Sequence, residues 1–311
     1  MTGTDAYDEE LRGLIHKGAT IEDSYWALVV SDILNALDVL RPVFDDSSGV
    51  DGYVSVEVDP GLALDTAGTI TAARTLDERI NRPNLYVKIP ATTAGIPAIR
   101  QMIAEGRSVN VTLIFSLSRY REVMEAYLSG LEECDADLAT VSSVASFFIS
   151  RTDSEVDRRL DNIGSAEALA LRGQTAVAQG QVAYNMFREV FSGLRWEALA
   201  ARGARVQRPL WASTSTKNAS YSDTLYVDSL IGPDTVNTLP DATLEAFEDR
   251  GTVARTVDAD PAAAYSVLRD VTNAGVDLDD VARVLEDEGV SAFVKSFDEL
   301  LGSLGEKVDT F

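Results

Sequence analysis

The chain is poor in the residues that usually announce a crosslink or a metal centre. Its 311 residues include one cysteine, Cys134, and one histidine, His16. A single cysteine excludes an internal disulfide and any cysteine-based cluster, and no His/Cys ligand set exists for zinc. Basic residues are scarce as well: 27 Lys and Arg stand against 50 Asp and Glu, a formal charge of -23. That field repels phosphate backbones and anionic lipid, so neither nucleic acid nor a membrane surface is an expected partner. No apolar run approaches the ~20 residues of a membrane span. The opening Met1-Thr2-Gly3-Thr4-Asp5-Ala6-Tyr7 has neither the basic start nor the apolar core of a signal peptide. A cytoplasmic protein is the expectation. No Gly-x-Gly-x-x-Gly follows a strand and no P-loop occurs, which removes the common nucleotide-binding readings.

What is present is alternation. The first fifty residues read as helices: Tyr7, Leu11 and Leu14 keep helical spacing as far as Gly18. Thr20 with Asp23 then forms a capping-box pattern ahead of Trp26, Val30, Ile33, Leu37 and Leu40, with Pro42 expected to close the segment. After Gly52, strands and helices take turns. Strands are expected at Tyr53–Val58, Leu85–Ile89, Val109–Phe115, Thr140–Ile149, Arg208–Ser213 and Thr235–Leu239. Helical patterns separate them, including one capped by Thr152 with Glu155 and an alanine-rich stretch from Ser165 to about Phe191. Repeated strand-then-helix units require a parallel sheet with helical crossovers. No linker or low-complexity tract interrupts them, so residues 1–311 read as one α/β domain. A closed barrel needs eight strands and about six are legible.

Lys88 is the anomaly of the second strand, Leu85-Tyr86-Val87-Lys88-Ile89, which Pro90 terminates. An unpaired ammonium buried there would have its pKa pushed down and become a nucleophile for carbonyls, able to form a Schiff base. The plainer reading is a strand-end lysine that snorkels to water. Neighbouring strands tip the balance. Ser55, Glu57 and Asp59 alternate along the first strand, Asn110 and Thr112 along the third, and Ser146 and Phe148 along the fourth. Period-two geometry puts each set on one face, and barrel sites are built at the C-terminal strand ends. A lysine, a carboxylate, an amide and hydroxyls converging on one mouth favour the nucleophile. Glu57 is then a proton carrier or a water-binding carboxylate, or else an ion-pair partner that neutralises Lys88. Magnesium on Glu57 and Asp59 is disfavoured by the adjacent lysine and apolar surroundings.

Arg151 precedes a helix N-terminus, and Ser213-Thr214-Ser215-Thr216-Lys217-Asn218 follows a later strand with hydroxyls and a second cation. Together they suit a phosphate cradle; taken singly, each is a solvated loop charge. His16 reads as a surface residue, and Cys134, within Glu132-Glu133-Cys134-Asp135, as incidental.

Val54-Ser55-Val56-Glu57-Val58-Asp59, Lys88-Ile89-Pro90-Ala91-Thr92, Asn110-Val111-Thr112-Leu113-Ile114-Phe115-Ser116 and Ala145-Ser146-Phe147-Phe148-Ile149-Ser150-Arg151 resemble transaldolase in its longer bacterial form. Arg208-Pro209-Leu210-Trp211-Ala212-Ser213-Thr214 and Thr235-Val236-Asn237-Thr238-Leu239-Pro240 fit it too, so the resemblance covers essentially the whole chain. It implies a (β/α)8 barrel of the class I aldolase kind that uses no cofactor. It also implies transfer of a dihydroxyacetone unit between sugar phosphates, in the non-oxidative pentose phosphate pathway. By the same resemblance Lys88 is the Schiff-base lysine, and Glu57 and Thr112 hold the catalytic water. Asn110 and Ser146 bind the dihydroxyacetone hydroxyls, and Arg151 binds phosphate. Lys217 stands where shorter family members are expected to carry arginine. Phe148 and Ser213 complete the expected substrate-binding set.

One departure accompanies the resemblance. Family members begin with two further βα units, carrying an acid/base aspartate and a Thr-Asn-Pro motif, and neither has a counterpart in 1–311. The expectation is therefore a barrel with about six of its eight strands, aggregation-prone and inactive when expressed alone. Two other readings stay open here: a Schiff-base aldolase that cleaves without transfer, and a non-catalytic sugar-phosphate-binding barrel.

Overall fold

A computed structural model describes residues 5–311. The elements in chain order are α1 (Asp8–His16), α2 (Ile21–Asp46), β1 (Val54–Glu57), α3 (Thr66–Ile80), β2 (Leu85–Pro90) and α4 (Gly95–Ala104). They continue with β3 (Val109–Ile114), α5 (Leu117–Glu133), β4 (Ser143–Phe148), α6 (Ser150–Ile163), α7 (Ala166–Leu169), α8 (Thr175–Val190) and α9 (Gly193–Ala200). β5 (Arg208–Ala212), α10 (Leu225–Asp228), β6 (Val236–Asn237), α11 (Asp241–Arg250), α12 (Pro261–Asn273) and α13 (Leu278–Val308) complete the chain. This is an α/β fold with six parallel strands among the described residues, the number the sequence shows. No helix among them is long and apolar enough to cross a membrane. Contacts divide the chain into two compact units, one reaching Lys88 and resuming at Gly289–Phe311, the other Ile89–Glu288. The division falls inside β2.

In the first unit, α2 opens as its sequence requires. Thr20 Oγ1 accepts the Asp23 N–H and the Asp23 carboxylate reaches back to Thr20, a complete capping box. Its end is a correction: the helix passes through Pro42 to Asp46. Proline removes one backbone bond to the residue four earlier, but Asp38 and Pro42 are both exposed, so water can serve the freed carbonyl. Leu11, Leu28 and Leu304 form the core that joins α1, α2 and the end of α13, with Tyr25 packed against it. β1 pairs in parallel with β2, setting Val54 beside Leu85, Ser55 beside Tyr86, Val56 beside Val87 and Glu57 beside Lys88.

The second unit holds β3 to β6, parallel in that order. Every residue of β3 and β4 is buried, as expected of strands covered on both faces. β4 starts later than its sequence suggests because Leu138–Thr140 forms a 3-10 turn capped by Asp137. α6 begins at Ser150 directly after β4, so Thr152 lies inside its first turn and caps nothing. The alanine-rich stretch also breaks: α7 and α8 are separated at Gly173, which holds φ +70°. Two further non-glycine residues, Leu113 in β3 and Ser213 after β5, hold φ +58° and +57°. At Leu113 the register shifts, since Val111 faces Ala145 while Ile114 faces Phe147. The extra residue is a β-bulge, a device that re-aims side chains near sites.

Candidate active site

The first unit carries the amine. Because Glu57 and Lys88 are register partners on neighbouring parallel strands, their side chains share a face, and Lys88 Nζ lies 3.5 Å from Glu57 Oε2. The two side chains are 26% and 29% exposed. Lys88 is thus a paired ammonium rather than the isolated one considered from sequence. Burial pushes the Glu57 carboxyl above its ordinary range, and the lysine charge offsets part of that rise. Such a carboxyl and amine can exchange a proton across their short separation. Beside them, Tyr25, Trp26, Phe293, Phe297 and Leu300 line a cavity of about 220 Å³ that Glu57 borders. Asp59 does not join Glu57: β1 ends at Glu57, and the Asp59 carboxylate turns to accept the Gly61 N–H at 2.7 Å.

The second unit carries the polar strand residues. Ser146 donates its hydroxyl to Asn110 Oδ1 at 2.7 Å, coupling β3 to β4 as the alternation implied. Thr112 is fully buried, and its Oγ1 has no hydrogen-bond partner among the described residues, while its carbonyl accepts the Ala91 N–H at 2.7 Å. A buried, unsatisfied hydroxyl is costly, and this one stands beside the strained backbone of Leu113. Phe148 packs against Phe115, and the half-buried Arg151 guanidinium lies 5.4 Å from the Phe148 ring centre. Ser213 Oγ meets Ser150 Oγ at 2.9 Å, and the Ser150 N–H donates to Ser213 O at 3.0 Å. The segment after β5 is therefore fastened to the start of α6, where Arg151 sits. Lys217 is exposed on that segment and lines a cavity with Asp157 and Tyr221 instead of pairing with Arg151.

His16 is exposed and Cys134 is buried. No group of three or more His, Cys, Asp or Glu side chains fit to hold a metal occurs among the described residues. Sequence reasoning missed the backbone strain at Leu113 and Ser213, and also two carboxylates on α6, Asp153 and Asp157. Their four-residue spacing on a helix was a visible signal. Their partners, Tyr226 and Tyr221, lie too far along the chain for spacing to reveal.

The family described as Transaldolase/Fructose-6-phosphate aldolase matches residues 1–304. The transaldolase of Thermobifida fusca is 53% identical over 308 residues, covering 98% of this chain and 84% of its own length. Transaldolases of a Parafrankia species and of Mycolicibacterium smegmatis are 51% and 52% identical, each over 98% of this chain and over 84% and 83% of their own lengths.

Proposed function

Since the chain belongs to the transaldolase/fructose-6-phosphate aldolase family and its activity is that of a transaldolase, we propose how its residues divide the work. The reaction transfers a dihydroxyacetone unit between sugar phosphates through a lysine Schiff base, as the family does in the pentose phosphate pathway. Lys88 supplies the amine. It adds to the ketose carbonyl and expels water, giving an iminium. The bond between the third and fourth carbons then breaks, the aldose phosphate leaves, and an enamine remains on Lys88. The enamine carbon adds to the aldehyde of the acceptor, and water hydrolyses the new iminium to free the product and the lysine.

Glu57 and Thr112 hold the water through which protons move. Burial raises the Glu57 carboxyl above its ordinary range, which makes it a better proton acceptor, and the Thr112 hydroxyl has hydrogen-bonding capacity to spare. Asn110 and Ser146 take the dihydroxyacetone hydroxyls, with Phe148 walling the pocket. Arg151, Ser213 and Lys217 take the phosphate. No cofactor is required, sugar phosphates are the only partners the site calls for, and the location is cytoplasmic. We place the six strands within one (β/α)8 barrel of the class I aldolase kind, a single domain. The parallel pairing within each compact unit supports this.

The observation that carries the proposal is Lys88 Nζ at 3.5 Å from a carboxylate whose acidity burial has weakened. Borohydride trapping with fructose 6-phosphate, followed by peptide mapping, tests it. A reduced adduct is expected on the peptide containing Lys88; an adduct elsewhere, or none, overturns the assignment. Product release compared with and without an acceptor aldose phosphate separates transfer from simple cleavage.

A further inference from the structure

Two carboxylates that the reaction does not use lie one turn apart on α6, and each makes the same pair of bonds. Asp153 Oδ1 accepts the Ala176 N–H at 2.7 Å, and Asp153 Oδ2 accepts the Tyr226 hydroxyl at 2.9 Å. Asp157 Oδ1 accepts the Gly173 N–H at 2.9 Å, and Asp157 Oδ2 accepts the Tyr221 hydroxyl at 2.6 Å. Each rung therefore joins α6 to the backbone at the start of α8 and to one tyrosine of the stretch between β5 and the end of α10. Both carboxylates are buried, and neither has a cation within ion-pair distance among the described residues. Burying two such groups without a cation is costly, and four well-formed hydrogen bonds are what makes it tolerable.

Gly173 shows how tightly the second rung is built. A Cβ added there would lie 2.7 Å from Cζ of Tyr221. The ring closes over a position that only glycine leaves open, in a backbone conformation that also favours glycine. The stretch held down in this way is the one bearing Ser213 and Lys217, and it is fastened at other points too. Ser213 meets Ser150, Thr214 donates to Asn237 Oδ1 at 2.8 Å, and Ser215 meets Thr243. Lys217 projects from a loop whose two flanks are both anchored, and it lines a cavity of about 310 Å³ together with Asp157 and Tyr221.

We propose that Asp153 and Asp157 are positioning residues that act through Tyr226 and Tyr221. They hold the Ser213–Lys217 segment against the start of α6, and so fix the distance between its cation and Arg151 at the phosphate-binding end of the site. The proposal rests on the sugar-phosphate reading above. A preformed anion site spends less of its binding free energy on ordering its own loop, so loosening the brace should weaken phosphate binding and leave the carbonyl end alone.

The test uses Tyr221→Phe, which removes one hydroxyl and keeps the ring over Gly173, and Asp157→Asn as a second variant. Two quantities are measured: calorimetric affinity for fructose 6-phosphate and for inorganic phosphate, and the concentration of dihydroxyacetone giving half-maximal borohydride trapping on Lys88. In Tyr221→Phe both phosphate affinities are expected to fall by about 10- to 150-fold, the equivalent of one lost hydrogen bond to a charged group. The dihydroxyacetone value should stay within about two-fold of wild type, because that ligand lacks the phosphate. Unchanged phosphate affinity in Tyr221→Phe, or an equal loss for both ligands, overturns the positioning role. A wild-type chain that binds no phosphate overturns the sugar-phosphate reading itself, and this inference with it.

Discussion

Around Lys88 the polar groups are open to water, whereas in β3 and β4 they are sealed. Lys88 and Glu57 are 26% and 29% exposed and rely chiefly on each other. Asn110, Thr112 and Ser146 are 6%, 0% and 2% exposed. For Glu57 the difference follows from strand placement. Among the described residues β1 pairs on one side only, with β2, whereas β4 has hydrogen-bonded neighbours on both sides. An ion pair in contact with water is free to change protonation and partner. A hydroxyl sealed between strands is fixed in direction, and its value to a ligand lies in that fixity.

The largest effect that would break this contrast lies at the open end. Lys88→Ala should abolish borohydride trapping altogether while phosphate affinity persists, since Arg151, Ser213 and Lys217 remain. A Lys88→Ala protein that loses phosphate binding as well would show that the two regions are not separable. Next in size, Glu57→Gln removes the carboxylate whose pKa burial raises. Turnover should fall by about 100-fold or more, as for loss of a proton carrier. The acidic limb of the pH–rate profile should flatten, because the group that protonates there is gone. A fall in rate with an unchanged limb would reduce Glu57 to the ion-pair partner that its neighbour also permits.

Sequence legibility follows the same division. The alternation of strand and helix was readable, because period-two spacing and chain order determine it, while the ion pair of Glu57 with Lys88 was one of the alternatives left open. The capping box at Thr20 was readable for the same local reason. The helix passing through Pro42 was not, since whether a freed carbonyl meets water depends on which face of the helix is exposed. The misassigned cap at Thr152 arose because α6 starts flush against β4, leaving no extended residue for a side-chain cap. Nor was the bulge at Leu113 visible: Val-Asn-Val-Thr-Leu-Ile alternates perfectly, and the extra residue exists only relative to β4. The ladder from Asp153 and Asp157 to two distant tyrosines is likewise a tertiary fact.

The buried carboxylate of Asp153 sharpens the comparison through pH. Its pKa is raised to about 6 from 3.8 by burial, against the opposing pull of the Ala176 N–H and Tyr226 hydroxyl. Asp157 lies nearby and raises it further, while Tyr221, Arg158, Asp161 and Lys217 line the same cavity. The folded protein therefore holds this proton more tightly than the unfolded chain does. Its contribution to stability is greatest below pH 4 and is lost as pH rises through about 6, by about 3 kcal/mol in all. Asp153→Asn retains an acceptor for Ala176 and cannot ionise. Denaturant titrations at pH 4 and pH 6 should show the wild-type decline and its absence in the variant. An identical pH dependence in both would assign the decline to another group.

The smallest effect concerns Thr112, where stability and activity should move in opposite directions. Its hydroxyl is fully buried with no hydrogen-bond partner among the described residues. A polar atom left in that condition costs about 1–3 kcal/mol, part of which valine recovers by filling the same volume with an apolar methyl group. Thr112→Val should therefore raise the free energy of unfolding by about 1 kcal/mol. The strand itself should be undisturbed, because the backbone bond from Ala91 to the Thr112 carbonyl does not involve the side chain. If the hydroxyl holds the water through which protons move, turnover should fall although the protein is more stable, the compromise expected where a site keeps an unsatisfied group. Trapping of the Schiff base under saturating fructose 6-phosphate should survive, since Lys88 is untouched. A variant both less stable and fully active would mean that the hydroxyl serves the fold, and that the sealed region contributes shape to the site but no chemistry.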